Sequence, residues 1–210
     1  MELRVDPDLS SILTLGVLAM DDVMVVERDP KLDGPLAEAA RQARTNPAGD
    51  PTSVRTMYRR VGIDPTKTRP SSEALLRRVT RGDEVPRINS LVDICNWCSL
   101  GFQLPYGLYD RARISGSVEL RLGREGEEYA GIRKEVVHLA GRLTLADAEG
   151  PFGNPTSDSS RTMVTLQTRK ALFVVFTPKP LAPRLAAVLD GTAARVVTFC
   201  GGREVVRTII

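Results

Sequence analysis

Apolar positions along the chain follow two rhythms, and the changeover falls near residue 104. Residues 12–27, ILTLGVLAMDDVMVVE, read as one or two strands with a turn near Asp21–Asp22. Helical spacing follows. Asp33-Gly34-Pro35 opens an alanine-rich helix to about Arg44, with proline in the first turn, where its missing N–H costs little. The loop Asn46-Pro47-Ala48-Gly49-Asp50-Pro51 leads into a second helix, capped by Asp50 and running to about Val61. Residues 62–70 form a Gly/Pro-punctuated loop. Ser71 is the expected N-cap of a third helix reaching Gly82, with Glu73 favoured by the helix dipole. A fourth helix follows from Ile88. Its apolar residues Ile88, Leu91, Val92, Cys95 and Cys98 stand at offsets 0, 3, 4, 7 and 10, the period of one buried face.

Beyond residue 104 the period drops to two. In SVELRL at 117–122, Val118, Leu120 and Leu122 alternate with Ser117, Glu119 and Arg121. EVVHLAG and RLTLAD read as two strands joined at Gly141. RTMVTLQT and KALFVVFTP add two more, the second apolar enough to be covered on both faces. A helix from about Pro180 to Leu189 puts Leu181, Leu185, Val188 and Leu189 on one side, and AARVVTFC, Gly201-Gly202 and EVVRTII read as a closing hairpin. Helices gather in one half and strands in the other. The expectation is an α+β fold, one domain over 1–210, helix-rich to about 104 and strand-rich from about 105.

Composition changes this picture little. Hydrophobic residues make up 42% and charged residues 26%, ordinary globular values, while aromatics at 5% leave packing to aliphatic side chains. A net charge of +3 permits contact with phosphates without demanding it. The opening MELRVDPDLSS does not read as a secretory signal, and no run of 18 apolar residues suggests a membrane span. Three cysteines, an odd number, argue against a disulfide framework and point to a reducing, cytoplasmic setting.

The chemistry-bearing residues are few. Cys95-Asn96-Trp97-Cys98 is a C-x-x-C, but the only other soft ligands are Cys200 and His138, and both thiols fall on the buried helix face. They read as core, so no metal and no cofactor is expected. Asn89, Asp93 and Asn96 form a polar stripe on the same helix, suited to hydrogen bonding with neighbouring loops or with a ligand. His138 lies between Val137 and Leu139 in an alternating strand and points to solvent. Residues 153–162 gather hydroxyls, one carboxylate and one guanidinium (Asn154, Asp158, Ser159, Ser160, Arg161) into one turn, either a self-satisfied surface loop or a rim for a polar guest. Eight cations lie within residues 55–81, among them Arg55, Arg59, Lys67 and Arg69, against Asp64 and Glu73. Such a segment is a phosphate-facing patch or a solvated helical face.

In this order, INSLVDICNW at 88–97, LPYGLYD, LRLGREGEEYAGI, LTLADAEGP and TLQTRKALFVVFTP resemble the editing domain of the phenylalanyl-tRNA synthetase beta subunit, in a free-standing form. Asp93 and Asn96 stand at the family's Asp-x-x-Asn; Pro105, Tyr109 and Asp110 match the turn that follows; Ala146-Asp147 match its Ala-Asp pair. The resemblance implies mixed helices with a β-sandwich. It also implies hydrolysis of wrongly charged tRNA, an editing sieve that serves translation fidelity where binding alone separates analogues poorly. It departs at the pocket: Gly107 stands at the family's histidine, Val174 at its hydroxyl-sensing glutamate, NPTSDSSRT replaces its Gly-rich loop, and the arginine before the Asp/Asn helix is shifted to Arg87. The set with which the resembled domain recognises a wrongly attached tyrosine by its hydroxyl is therefore not carried over, and Val174 would leave an apolar wall there.

The expected function is hydrolysis of mischarged aminoacyl-tRNA in trans, with no evident general base. The alternatives are a non-catalytic module for tRNA or an amino acid, or an accessory partner of a synthetase. Expected guest contacts are Asn89, Asp93, Asn96, Tyr106, Asp110, Asn154, Asp158, Ser159, Ser160 and Arg161, with Arg55, Arg59, Lys67 and Arg69 toward tRNA.

Overall fold

The computed structural model describes residues 2–46, 51–133 and 135–210. The chain runs β1 (Leu3–Val5), β2 (Leu13–Asp21), α1 (Asp33–Thr45), α2 (Pro51–Arg60), α3 (Ser71–Thr80), α4 (Ser90–Phe102), β3 (Tyr106–Asp110), β4 (Val118–Leu122), β5 (Glu128–Ala130), β6 (Val136–His138), β7 (Leu143–Asp147), β8 (Gly150–Gly153), β9 (Lys170–Pro178), α5 (Leu185–Cys200) and β10 (Arg203–Ile209), with short 3-10 turns between. One sheet is ordered β1-β4-β7-β8, a second β10-β2-β9-β3, and β5 and β6 form a small ribbon. Side chains of both large sheets join one hydrophobic cluster with those of all five helices. The class is α+β.

Strands β2 and β9 pair antiparallel over nine residues at the centre of the second sheet and are almost wholly buried, as their largely apolar sequences require. Asp22, at the end of β2, takes a left-handed φ of 61°, which makes the turn expected there. Helix α4 buries Leu91, Cys95 and Cys98, while Ile88, just ahead of it, is 59% exposed. All three cysteines are free and buried.

Several expectations fail for identifiable reasons. AARVVTFC is not a strand. It completes α5, whose buried Leu185, Val188, Leu189, Thr192, Ala193, Val196 and Cys200 keep helical spacing throughout. β10 therefore pairs with β2 rather than in a hairpin. RTMVTLQT is a 3-10 turn followed by irregular chain. In β4 the alternation breaks: Arg121 is buried because its guanidinium is paired with Glu127 at 2.6 and 2.7 Å, and Leu122 is exposed instead. Strands β6 and β7 do not pair with each other. Ser71 is the first helical residue of α3, not its cap; Pro70 holds that place and supplies no side-chain bond. Asp50, expected to cap α2, lies outside the described residues. No helix among the described residues is long and apolar enough to cross a membrane.

Candidate functional site

A cleft of about 330 Å³ opens where α4, β3 and the turn after β8 come together. Its lining is mostly apolar, with Ile88, Val92, Cys95, Leu108, Met163 and Val164 prominent. Polar groups come from Ser71 at the start of α3, Asn96 on α4, and Asn154, Thr156 and Asp158 in the turn. Among the described residues no lysine, arginine or histidine lines it.

The turn is folded by its own side chains. The Asn154 carboxamide accepts from the backbone N–H of Thr156 and of Ser157, both at 2.8 Å, and donates to the Tyr129 hydroxyl at 2.8 Å. Tyr58 of α2 donates to the Pro155 carbonyl at 3.1 Å and fixes the turn against the helices. Asp158 is partly exposed and accepts from the Tyr109 hydroxyl at 2.8 Å. Burial pushes its carboxyl up to about 7, although the Tyr109 hydroxyl and the Asn154 backbone N–H pull the other way. Burial also pushes the Tyr109 phenol and the Cys95 thiol well up, so both stay neutral.

Tyr109 has room only because of two glycines. A Cβ built on Gly107 or on Gly153 would overlap its ring and hydroxyl. Its ring also packs edge-on against Phe152, with centroids 5.0 Å apart. Gly107 faces Val174 across the β3–β9 ladder, so the two departures from the resembled pocket are register partners. Neither residue lines the cleft, and Val174 is fully buried. The apolar wall expected at Val174 is thus core.

Of the guest contacts expected from sequence, Asn96, Tyr106, Asn154 and Asp158 line the cleft. The Tyr106 hydroxyl is shared with Thr192 of α5 at 2.9 Å, leaving its ring to the lining. The other six serve the frame. Asn89 caps α4 by accepting from the Val92 N–H at 3.0 Å. Asp93 accepts from Arg87 at 2.6 Å and from the Ile88 N–H at 2.8 Å. Asp110 accepts from Thr168 at 2.8 Å and from the Ala112 N–H at 3.0 Å. Ser159 caps the following turn through the Arg161 N–H, and Ser160 donates to the Ala130 carbonyl. Arg161 forks onto Asp147 at 2.8 and 3.0 Å and lies over the Phe152 ring.

Sequence reading missed Ser71 and Cys95, which it assigned to cap and core, and most of the apolar lining; Thr156 lay within the turn it singled out but was not named as a contact. Two polar groups on the wall are unspent. The Ser71 hydroxyl is buried without a hydrogen-bond partner. The Asn96 amide makes none to the described residues. A buried hydroxyl without a partner calls for water or a ligand. Of the basic residues expected toward tRNA, Arg55 is forked onto Glu73 at 2.8 Å, and Arg69, two residues before Ser71 in the chain, stands 3.6 Å from the same carboxylate. Arg59 and Lys67 are exposed near Asp64. His138 is exposed beside Glu128. Among the described residues no cluster of three His, Cys, Asp or Glu is placed to hold a metal ion.

The sequence pattern of the B3/4 domain matches residues 53–187, more than half of the chain. This protein belongs to the B3/4 domain family. The matched span runs from within α2 into the start of α5 and contains every described residue of the cleft lining. The B3/4 domain is similar to the phenylalanine–tRNA ligase beta subunit of Thiobacillus denitrificans, 30% identical over 136 residues, 61% of this chain and 17% of that protein. It is similar to that of Streptomyces avermitilis, 29% identical over 161 residues, 73% of this chain and 19% of that protein. The Bartonella henselae subunit is 38% identical over 64 residues, 30% of this chain and 8% of that protein. The B3/4 domain thus spans less than a fifth of these relatives. Its fold is shared with an N-terminal fragment of the phenylalanyl-tRNA synthetase beta-subunit from Pyrococcus horikoshii, with a TM-score of 0.51 over 97% of this chain and 50% of that one, at 14% identity.

Proposed function

We propose that this B3/4 domain takes the aminoacyl end of a charged tRNA into the cleft and hydrolyses its ester in trans. One observation carries the reading: an apolar hollow of amino-acid size, on a domain related to a tRNA ligase subunit, holds polar groups that the fold does not use. The apolar lining receives the amino-acid side chain. Ser71 and Asn96, with a hydroxyl of the terminal ribose, hold a water against the ester carbonyl. Its oxygen adds to that carbon, the carbon–oxygen ester bond breaks, and the ribose hydroxyl leaves with a proton. Exposed Arg59 and Lys67, with Arg55 and Arg69 near Ser71, give the tRNA backbone a positive approach. A cytoplasmic setting goes with this reading.

The test is a panel of mischarged tRNAs incubated with the protein. Release above background for at least one aminoacyl group supports the proposal, and none for any member overturns it. A second reading, binding without turnover, is favoured by the absence of histidine among the described lining residues. Gel-shift titration at two salt concentrations distinguishes it, since phosphate contacts weaken with salt. Association with a synthetase is the third reading, and pull-down from extract tests it.

A further inference from the structure

Among the described residues, the poorly exposed carboxylates other than Asp158 have arginine partners. Asp21 pairs with Arg111, Glu73 with Arg55, Asp93 with Arg87, Glu127 with Arg121 and Asp147 with Arg161. Asp158 makes no ion pair with any described residue. Its partners are a phenol and a backbone N–H, both neutral. Among the described residues it is also the one carboxylate on the cleft wall. Its position is fixed, because the Tyr109 ring that holds it is wedged at Gly107 and Gly153. The titratable groups facing it are Tyr109 from β3, Tyr129 from β5 and Cys95 from α4, all neutral at physiological pH.

A carboxylate without a cation, set in a mostly apolar hollow whose other polar groups are neutral, leaves its charge to be met by the guest. We infer that Asp158 receives the α-ammonium group of the guest, and that the cleft for this reason selects an amino acid whose carboxyl is esterified or amidated over the free amino acid. A free amino acid brings a carboxylate for which the described lining offers no cation, beside the like charge that Asp158 takes up when it meets the ammonium. An ester brings only the ammonium. The same arrangement ejects the product, since hydrolysis creates a carboxylate in a hollow that repels it. This rests on the cleft being the guest site proposed above, and it adds Asp158 as the group that sets substrate form.

The experiment uses the full chain and small probes without tRNA: the amides, free acids and N-acetyl amides of leucine, methionine, phenylalanine and tyrosine, titrated by calorimetry or ligand-observed NMR to millimolar concentration. For the side chains that bind, the amide is expected at least tenfold tighter than the free acid and than the N-acetyl amide. Asp158→Asn, which keeps an acceptor for Tyr109, is expected to remove that preference. The comparison among probes on the wild-type protein stands even if the variant does not fold. Free acid binding as tightly as amide, no amide binding at all, or an Asp158→Asn protein with unchanged amide affinity each overturns the inference. Deacylation that is indifferent to Asp158→Asn overturns it while leaving the hydrolase reading intact. Amine-dependent binding without deacylation of any tRNA upholds it and removes the hydrolase reading.

Discussion

Asp147 and Asp158 are two carboxylates eleven positions apart, reached by the same stretch of chain, and their surroundings are opposite. Asp147 has a fully buried side chain and is gripped by the Arg161 fork and by the backbone N–H groups of Ser115 and Glu149. Burial pushes its carboxyl up, but those partners more than offset it and hold it below the ordinary carboxylate range. Asp158 has no cation, and burial carries it to about 7. One carboxylate is spent on holding the β7–β8 end to the following turn. The other is held ready by a phenol. A satisfied charge marks structure, and an orphaned one beside a cavity marks a place for something from outside.

The largest effect that would break this contrast comes from Arg161→Ala. It strands the Asp147 charge away from solvent and should cost ~3 kcal/mol, read by urea unfolding at neutral pH. A variant as stable as the parent would refute the structural assignment of that pair.

The pH dependence sharpens the contrast, because the two groups pull in opposite directions. Asp158 is raised from 3.8 to about 7, so its contribution to stability is full below about pH 4 and is lost as the pH climbs through 7. Asp147 is lowered, so its contribution is present above its ordinary value and is lost on acidification. Asp158→Asn should therefore flatten the decline between about pH 4 and 7, leaving the variant ~2 kcal/mol more stable than the parent at pH 8 after allowance for solvent at a partly exposed residue. An unchanged slope would show that Asp158 ionises as an ordinary surface carboxylate.

Removing the donor from the second carboxylate is a smaller perturbation. Tyr109→Phe should cost ~1.5 kcal/mol and move the Asp158 carboxyl further up, observable by carboxyl-detected NMR titration. A shift downward would mean that another donor takes over. The smallest structural effect is expected from Asn96→Ala. It breaks no hydrogen bond among the described residues, so stability should change by less than ~0.5 kcal/mol, while release from mischarged tRNA should fall at least tenfold. Equal turnover in variant and parent would remove Asn96 from the water-holding role.

Much of this architecture was legible in the residues. The apolar spacing of Leu91, Cys95 and Cys98 is that of a helix face, and the unbroken run of β9 announces a strand covered on both sides. Where reading failed, two signals competed. The β-branched residues at 196–198 suggested a strand, yet the apolar period from Leu185 to Cys200 was helical, and tertiary packing followed the period. The cleft was half legible. Composition singled out the 153–162 turn but could not separate Asp158 from Arg161, because burial and pairing are properties of the fold and not of the segment. Tyr109 was noticed only as part of a matched turn. Its role depends on space at Gly153, forty-four positions away, which no local pattern encodes.

The wedging of one phenol between two glycines also constrains what this chain can become. A histidine placed at position 107, where the resembled pocket has one, would collide with Tyr109, and giving up Tyr109 first would strip Asp158 of its anchor. Neither single step is free, so the two residues behave as an epistatic lock.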